Sequence, residues 1–146
     1  MDKAIFPASF DPVTKGHLDI IKRATNMVDT LYIAVCNNDD KVCYNDLATR
    51  LAKLKQATRD LANIKVITCE GLLTECARKL NIKYIIRSIR NSNDYEYEKN
   101  LEQIYKSQYI NIECIYILAD PKLAHISSTV TKQLIKLGGD VADYEV

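Results

Sequence analysis

Short runs that are apolar throughout alternate with stretches that are apolar on one side only, and this alternation restricts the fold more than any other feature of the chain. Ala4-Ile5-Phe6, Leu31 to Cys36, Ile64 to Ile67, Tyr84-Ile85-Ile86 and Cys114 to Leu118 are the apolar runs, and strands of that kind are buried on both faces. Between them the spacing is helical. Leu18, Ile21, Ala24, Thr25 and Val28 follow Gly16-His17, and Leu47, Leu51, Leu54 and Ala57 follow Asp46, a suitable N-cap. Leu72 to Leu80, Asp94 to Ser107, and a stretch from Ser127-Ser128-Thr129 to Gly138-Gly139 complete the helices. The expected architecture is α/β, a doubly wound parallel sheet in one domain over residues 1–146. Ligands of such sheets bind at the carboxyl ends of the strands, where the strand order reverses. The strand-to-helix loops are therefore where chemistry is expected.

Charge narrows the partners. Twenty Lys plus Arg against nineteen Asp plus Glu leave +1, which is no footprint for tracking a nucleic-acid backbone. Any phosphate handled here is met by a few local cations. The uncharged stretches, such as Thr30 to Asn38 and Cys114 to Ala119, are far short of the ~20 apolar residues of a membrane span. An amino terminus with Asp2 and Lys3 and no apolar leader gives the cytoplasm as the expected location. Cysteines 36, 43, 69, 76 and 114 form no C-x-x-C and have only two histidines for company. They read as reduced, buried small hydrophobes.

Three loops stand out. Phe6 to His17 runs from the first strand into the first helix, whose unpaired N–H groups and positive dipole end suit an anion. Gly16 lets backbone come close to a ligand, and His17 and Ser9 add donors. The plain alternative is an Asp11-Pro12 turn with His17 merely opening a helix. In Ile85 to Arg90 a buried strand ends in Arg87 and Arg90, costly there unless each meets an anion or a carboxylate. Asp94, Glu96 and Glu98 just downstream offer the internal alternative. His125-Ile126-Ser127-Ser128-Thr129 opens the last helix, either as ordinary N-caps or as a polyphosphate cradle. Lys41, after the second strand, falls at the same sheet edge.

Together these loops resemble the bacterial phosphopantetheine adenylyltransferases, members of the nucleotidyltransferase superfamily with a T/H-x-G-H signature. Ser9-Phe10-Asp11-Pro12-Val13-Thr14-Lys15-Gly16-His17 is similar to the family's T/S-F-D-P-x-T-x-G-H. Arg87-Ser88-Ile89-Arg90 with Asp94-Tyr95-Glu96-Tyr97-Glu98 is similar to R-G-L-R and D-F-E-Y-E, and Ile126 to Lys132 to its I-S-S motif, followed by G-G-D-V at 138–141. The resemblance is colinear over nearly the whole chain. It implies a Rossmann-like sheet, and transfer of AMP from ATP to 4′-phosphopantetheine with Mg²⁺, giving dephospho-CoA and pyrophosphate. It implies His17, Lys41 and Arg90 as catalytic residues, with Ser9, Lys41, Leu73 and Arg87 on the phosphopantetheine side. On the ATP side it implies Ser9, Phe10, His17, Ser88, Ile89, Arg90, Glu98, Leu123, Ala124, His125, Ile126, Ser127, Ser128 and Thr129. The metal's protein ligands are unknown, with phosphates and water expected to hold it. A homohexamer is expected by family analogy.

Ala8 and Ser88 stand where the family usually has glycine, and Leu123 where it often has an aromatic residue. Related cytidylyl- and nicotinate-nucleotide adenylyltransferases usually carry histidine where this chain has Thr14. Lys132, where many cytidylyltransferases have arginine, also favours the pantetheine enzymes. A nucleotide-binding module without turnover is the competing reading from another class.

Overall fold

A computed structural model of the chain describes residues 1–37 and 43–146. Among the described residues, five strands alternate with five helices. They are β1 (Lys3–Ala8), α1 (Lys15–Thr25), β2 (Thr30–Cys36), α2 (Leu47–Ala57), β3 (Ile64–Cys69), α3 (Leu73–Lys79), β4 (Tyr84–Ile89), α4 (Ser92–Gln108), β5 (Glu113–Leu118) and α5 (Ser128–Lys136). The strands lie in the order β3-β2-β1-β4-β5, and every pairing is parallel. The chain thus builds outward from β1 to β3 and then returns to the far side of β1 for β4 and β5. The reversal falls between β1 and β4, and it leaves a crevice at their carboxyl ends.

Both faces of the sheet are covered, as the uniformly apolar strands require. Ala4 and Phe6 of β1 point into one core with Ile20, Ile21 and Ala24 of α1 and Leu54 of α2. Ile5, between them, points into the other with Ile85 of β4, Ala77 of α3 and half-buried Tyr105 of α4. Each fully buried Ile or Leu contributes about 1.5–3 kcal/mol of burial.

Ladders carry β1 and β4 past the ends expected from the sequence, while the caps of α2 and α5 fall where expected. β1 continues past Pro7, which stays in the ladder opposite Ala34 and lends its carbonyl to Arg87 Nη1 at 3.3 Å. β4 runs on to Ile89, so Arg87 and Ser88 are strand residues and Arg90 is the first beyond the strand. Asp46 caps α2 by accepting from the Thr49 amide at 2.8 Å. α5 stops where Gly138 takes φ of +76° and the Gly138 and Gly139 amides turn back to the carbonyls of Ile135 and Leu134, a left-handed cap that glycine adopts without a Cβ penalty. The chain then returns to α1. The Lys15 amide donates to the Tyr144 carbonyl at 2.8 Å, and the Val146 amide donates to the Val13 carbonyl at 3.2 Å.

Candidate active site

The loop from β1 to α1 fixes one histidine in one protonation state. Thr14 is the N-cap of α1, and its Oγ1 accepts from the His17 amide at 3.2 Å. The Thr14 amide in turn donates to His17 Nδ1 at 3.1 Å, so His17 fills the role that glutamate usually takes in a capping box. Nδ1 must be unprotonated to accept, which puts the proton of the neutral ring on Nε2. Poor hydration within the cleft, reinforced by the nearby Arg90 charge, pushes the His17 pKa down to about 4. At neutral pH the ring is therefore an uncharged Nε2–H donor. Phe10, fully buried, backs it at 4.8 Å between ring centroids, and Phe6 packs edge-on against Phe10.

Two helix N-termini face the same space. In α1 the Lys15 amide is taken by Tyr144, and those of His17 and Leu18 by Thr14. The Gly16 amide remains, with no protein acceptor among the described residues. A Cβ on Gly16 would meet only Thr14 Oγ1 at 3.5 Å and the Ile126 carbonyl at 3.7 Å. Packing tolerates that, so the room left by the missing side chain belongs to the cleft. In α5, Ser127 is the N-cap and accepts from the Val130 amide at 3.1 Å, while the Ser128 hydroxyl donates to the Pro12 carbonyl at 2.9 Å. Two of the three hydroxyls in the expected cradle are thus used to shape and join loops. The Ser128 and Thr129 amides carry the anion-binding capacity.

Both arginines of β4 have carboxylate partners. Arg87 and Glu98 form a fork, Nε to Oε2 at 2.8 Å and Nη2 to Oε1 at 2.7 Å, with 19% and 7% of the two side chains exposed. Burial alone would lower the Arg87 pKa; its bonds to Glu98 more than offset that, and the net shift is upward. Arg90 meets Asp94 more loosely, at 3.1 Å, with 35% of its side chain exposed. Glu98 therefore reaches the site through Arg87, whereas Arg90 keeps donors free toward the cleft. Ala8 and Ser88 avoid the left-handed region, so neither replacement of glycine strains the backbone.

These pieces enclose a cleft of about 400 Å³ at the switch point. Ser9, His17, Arg87, Ser88, Arg90, Glu98, Leu123, Ile126, Ser127, Ser128 and Thr129 all lie on its wall. Phe10 and Ile89 sit in the interior instead, and His125 lies off the wall with its ring edge-on to Tyr144 at 5.5 Å. Ala124 is likewise not on the wall. A second cleft of about 420 Å³ holds Leu73 and shares Pro7, Ala8, Ser9, Arg87 and Tyr97 with the first. Lys41 lies outside the described residues.

Several residues here escape a reading by motif. Tyr97, Leu101, Tyr105 and Gln108 recur at helical spacing along α4 and line the second cleft, a stripe that periodicity could have shown. Asp11 accepts from the Tyr44 and Asn45 amides at 2.6 and 2.8 Å and so ties down the segment leading into α2. Arg50 of α2 is 1% exposed and binds the carbonyls of Ser9 and Cys36 and Asn37 Oδ1, at 2.9, 3.4 and 2.9 Å. It joins the carboxyl ends of β1 and β2. Nothing in its sequence context separates it from a solvated lysine-like charge.

Known proteins share this plan. The sequence profile of the family described as cytidylyltransferase-like matches residues 5–134. A phosphopantetheine adenylyltransferase of Limosilactobacillus reuteri is 37% identical over 144 residues, covering 99% of this chain and 83% of the relative. One from Nautilia profundicola is 43% identical over 140 residues, covering 96% and 91%. Among solved structures, a Plasmodium falciparum nicotinic acid mononucleotide adenylyltransferase complexed with NaAD superposes with a TM-score of 0.66 at 16% identity, over 99% of this chain and 90% of the other. That last likeness speaks for the fold alone.

Proposed function

The chain belongs to the cytidylyltransferase-like family and, within it, to the phosphopantetheine adenylyltransferases, and on that premise we propose that it transfers AMP from ATP to 4′-phosphopantetheine, releasing pyrophosphate and forming dephospho-CoA. The observation that carries this reading is the two-part cleft. An uncharged His17 donor, Arg90 and free α5 amides face one half, and Ser9 and Arg87 open onto the other.

The chemistry suits these groups. The nucleophile is an oxygen of the acceptor's phosphate, ionised near neutral pH, so no general base is needed. It attacks the α-phosphorus of ATP, and the bond to the β-phosphate oxygen breaks to release pyrophosphate. Catalysis of such a transfer consists of alignment and stabilisation of charge on the phosphoryl oxygens. His17 Nε2–H donates to the α-phosphoryl oxygen as its charge grows. Arg90 and the amides of Gly16, Ser128 and Thr129 hold the polyphosphate. Arg87, oriented by Glu98, meets the acceptor's phosphate beside Ser9, with Leu73 and the α4 stripe along its pantetheine arm. Lys41 is assigned to the acceptor side on the family resemblance.

Magnesium is the cofactor the family implies. The carboxylates on the first cleft, Asp94 and Glu98, are taken by arginines, and among the described residues no three His, Cys, Asp or Glu converge for a metal. The described side chains offer it no cage, so its ligands are assigned to phosphate oxygens and water, and no step above runs through it. By the same resemblance we assign a homohexamer and a cytoplasmic location; no helix among the described residues is long and apolar enough to cross a membrane. The test is pyrophosphate release on mixing the chain with ATP, Mg²⁺ and 4′-phosphopantetheine, omitting each in turn. Release that requires all three is the expected result, and ATP binding without release would leave a nucleotide-binding module.

A further inference from the structure

The second cleft contains a chemistry that adenylyl transfer does not use. Cys36 ends β2 and lines that cleft, half-buried, within the field of both Arg87 and Arg50. Its register partner in β3 is Cys69. Directly paired parallel strands lie about 4.8 Å apart, inside the Cα separation of roughly 4.4–6.8 Å that a disulfide spans. The Cys36 thiol donates to the Ala34 carbonyl at 3.7 Å, and Cys36, Cys69 and Cys76 of α3 belong to the same core cluster. The Cys69 thiol and the two arginines draw the Cys36 pKa down, while the neighbouring Cys36 and then its own burial push that of Cys69 up. A thiol that is partly exposed, next to cations and beside a second thiol is the arrangement in which cysteine oxidises reversibly. Of the five cysteines expected to be buried, Cys69 and Cys114 are, whereas Cys36, Cys43 and Cys76 are only half-buried.

We propose that Cys36 and Cys69 form an oxidisable dithiol in the wall of the second cleft, closing to a disulfide with hydrogen peroxide as oxidant. The Cys36 sulfur attacks one peroxide oxygen, the O–O bond breaks, and the departing hydroxide takes up the thiol proton as water, leaving a sulfenic acid. The Cys69 sulfur then attacks Cys36, the S–S bond forms, the S–O bond breaks, and the Cys69 proton leaves with the hydroxyl as a second water. Two thiols are oxidised and one peroxide is reduced. If the second cleft takes 4′-phosphopantetheine, which rests on the reading above, the substrate shields Cys36 from the oxidant.

The full-length protein, fully reduced, is treated with limiting hydrogen peroxide, blocked with N-ethylmaleimide, digested without reductant and mapped by mass spectrometry. The expected product is a Cys36–Cys69 linked peptide pair, lighter by two hydrogens and reversed by dithiothreitol. In Cys69→Ser the sulfenic acid persists on Cys36 and is trapped by dimedone. A Cys69–Cys76 bridge as the main product, or dimedone only on Cys43 or Cys114, overturns the proposal. With the S-methyl thioether of 4′-phosphopantetheine, which has no thiol to consume peroxide, at ten times its dissociation constant, oxidation of Cys36 slows about tenfold, following the fraction of open sites. Disulfide formation that this thioether does not slow would uphold the dithiol and tell against the acceptor's assignment to this cleft.

Discussion

At the scale of single residues, His17 shows how much a tautomer matters. With the Thr14 amide on Nδ1, only Nε2 can donate, and the ring's low pKa keeps it neutral and able to do so over most of the pH range. Replacing His17 with Ala removes a donor used only as charge develops. The expected result is a kcat lower by ~10²–10³ with ATP affinity nearly unchanged, measured by steady-state pyrophosphate release beside direct ATP binding. A tenfold or smaller loss would take His17 out of that role. The same residue sets a pH dependence of stability. Its folded value of about 4 lies below the ordinary 6.5, so between those values the unfolded chain holds a proton there that the native chain does not. Its contribution is complete above about pH 6.5 and is lost as the pH falls toward 4. Denaturant titrations across that window should show a flatter slope for His17→Asn than for the parent, and an unchanged slope would contradict a poorly hydrated, neutral ring on the cleft wall. A histidine in a helix's first turn was visible in the sequence. Its protonation was not, because that depends on a capping bond and on an arginine 73 positions away in the chain.

At the scale of elements, the forked pair of Arg87 and Glu98 fastens β4 to α4 and sets the guanidinium between the two clefts. The internal salt bridge and the ligand-binding reading of Arg87 are therefore compatible: one edge of the guanidinium is used by Glu98, and the wall of each cleft still includes the residue. Glu98→Ala leaves a nearly buried cation unpaired and should lower stability on the order of 3 kcal/mol; Glu98→Gln keeps the shape and should cost less. Both should raise the KM for 4′-phosphopantetheine more than that for ATP. An equal effect on both substrates would mean that Arg87 does not divide the site in this way. Arg50 performs a similar task between β1 and β2. Arg50→Lys keeps a charge but cannot reach Ser9, Cys36 and Asn37 together, so lower thermal stability with a raised acceptor KM is expected from unfolding scans and kinetics. Strands and helices were legible because burial imposes period on sequence. Arg50 was not, since it lies three residues after Leu47 on a helix face that otherwise reads as amphipathic, and only the fold shows that its head reaches backbone carbonyls.

For the whole molecule, the doubly wound sheet brings stretches from residues 9–17, 87–98 and 126–129 to one edge, as their places after successive strands suggested. The end of the chain takes part in a way no motif signalled. Residues 144–146 lie against residues 13–15: Tyr144 accepts from the Lys15 amide, the Val146 amide donates to Val13, and Glu145 meets Lys53 at 3.1 Å. The exposed ion pair adds little; the backbone bonds matter more, because they hold the residues that carry the Thr14 cap. Ending the chain after Asp143 returns the Lys15 amide and the Val13 carbonyl to solvent and loosens residues 13–15, while the sheet and the rest of both cores, Val13 apart, keep their contacts. The protein should still fold, with a melting temperature lower by a few degrees for each ~1 kcal/mol lost. Activity should suffer disproportionately. The His17 ring depends on the Thr14 amide for its tautomer, and that amide belongs to the loosened segment. A fall in kcat well beyond the fall in folded fraction, with ATP affinity preserved, would tie the tail to the chemistry through α1. Parallel losses of stability and kcat would mean that it serves only as a brace.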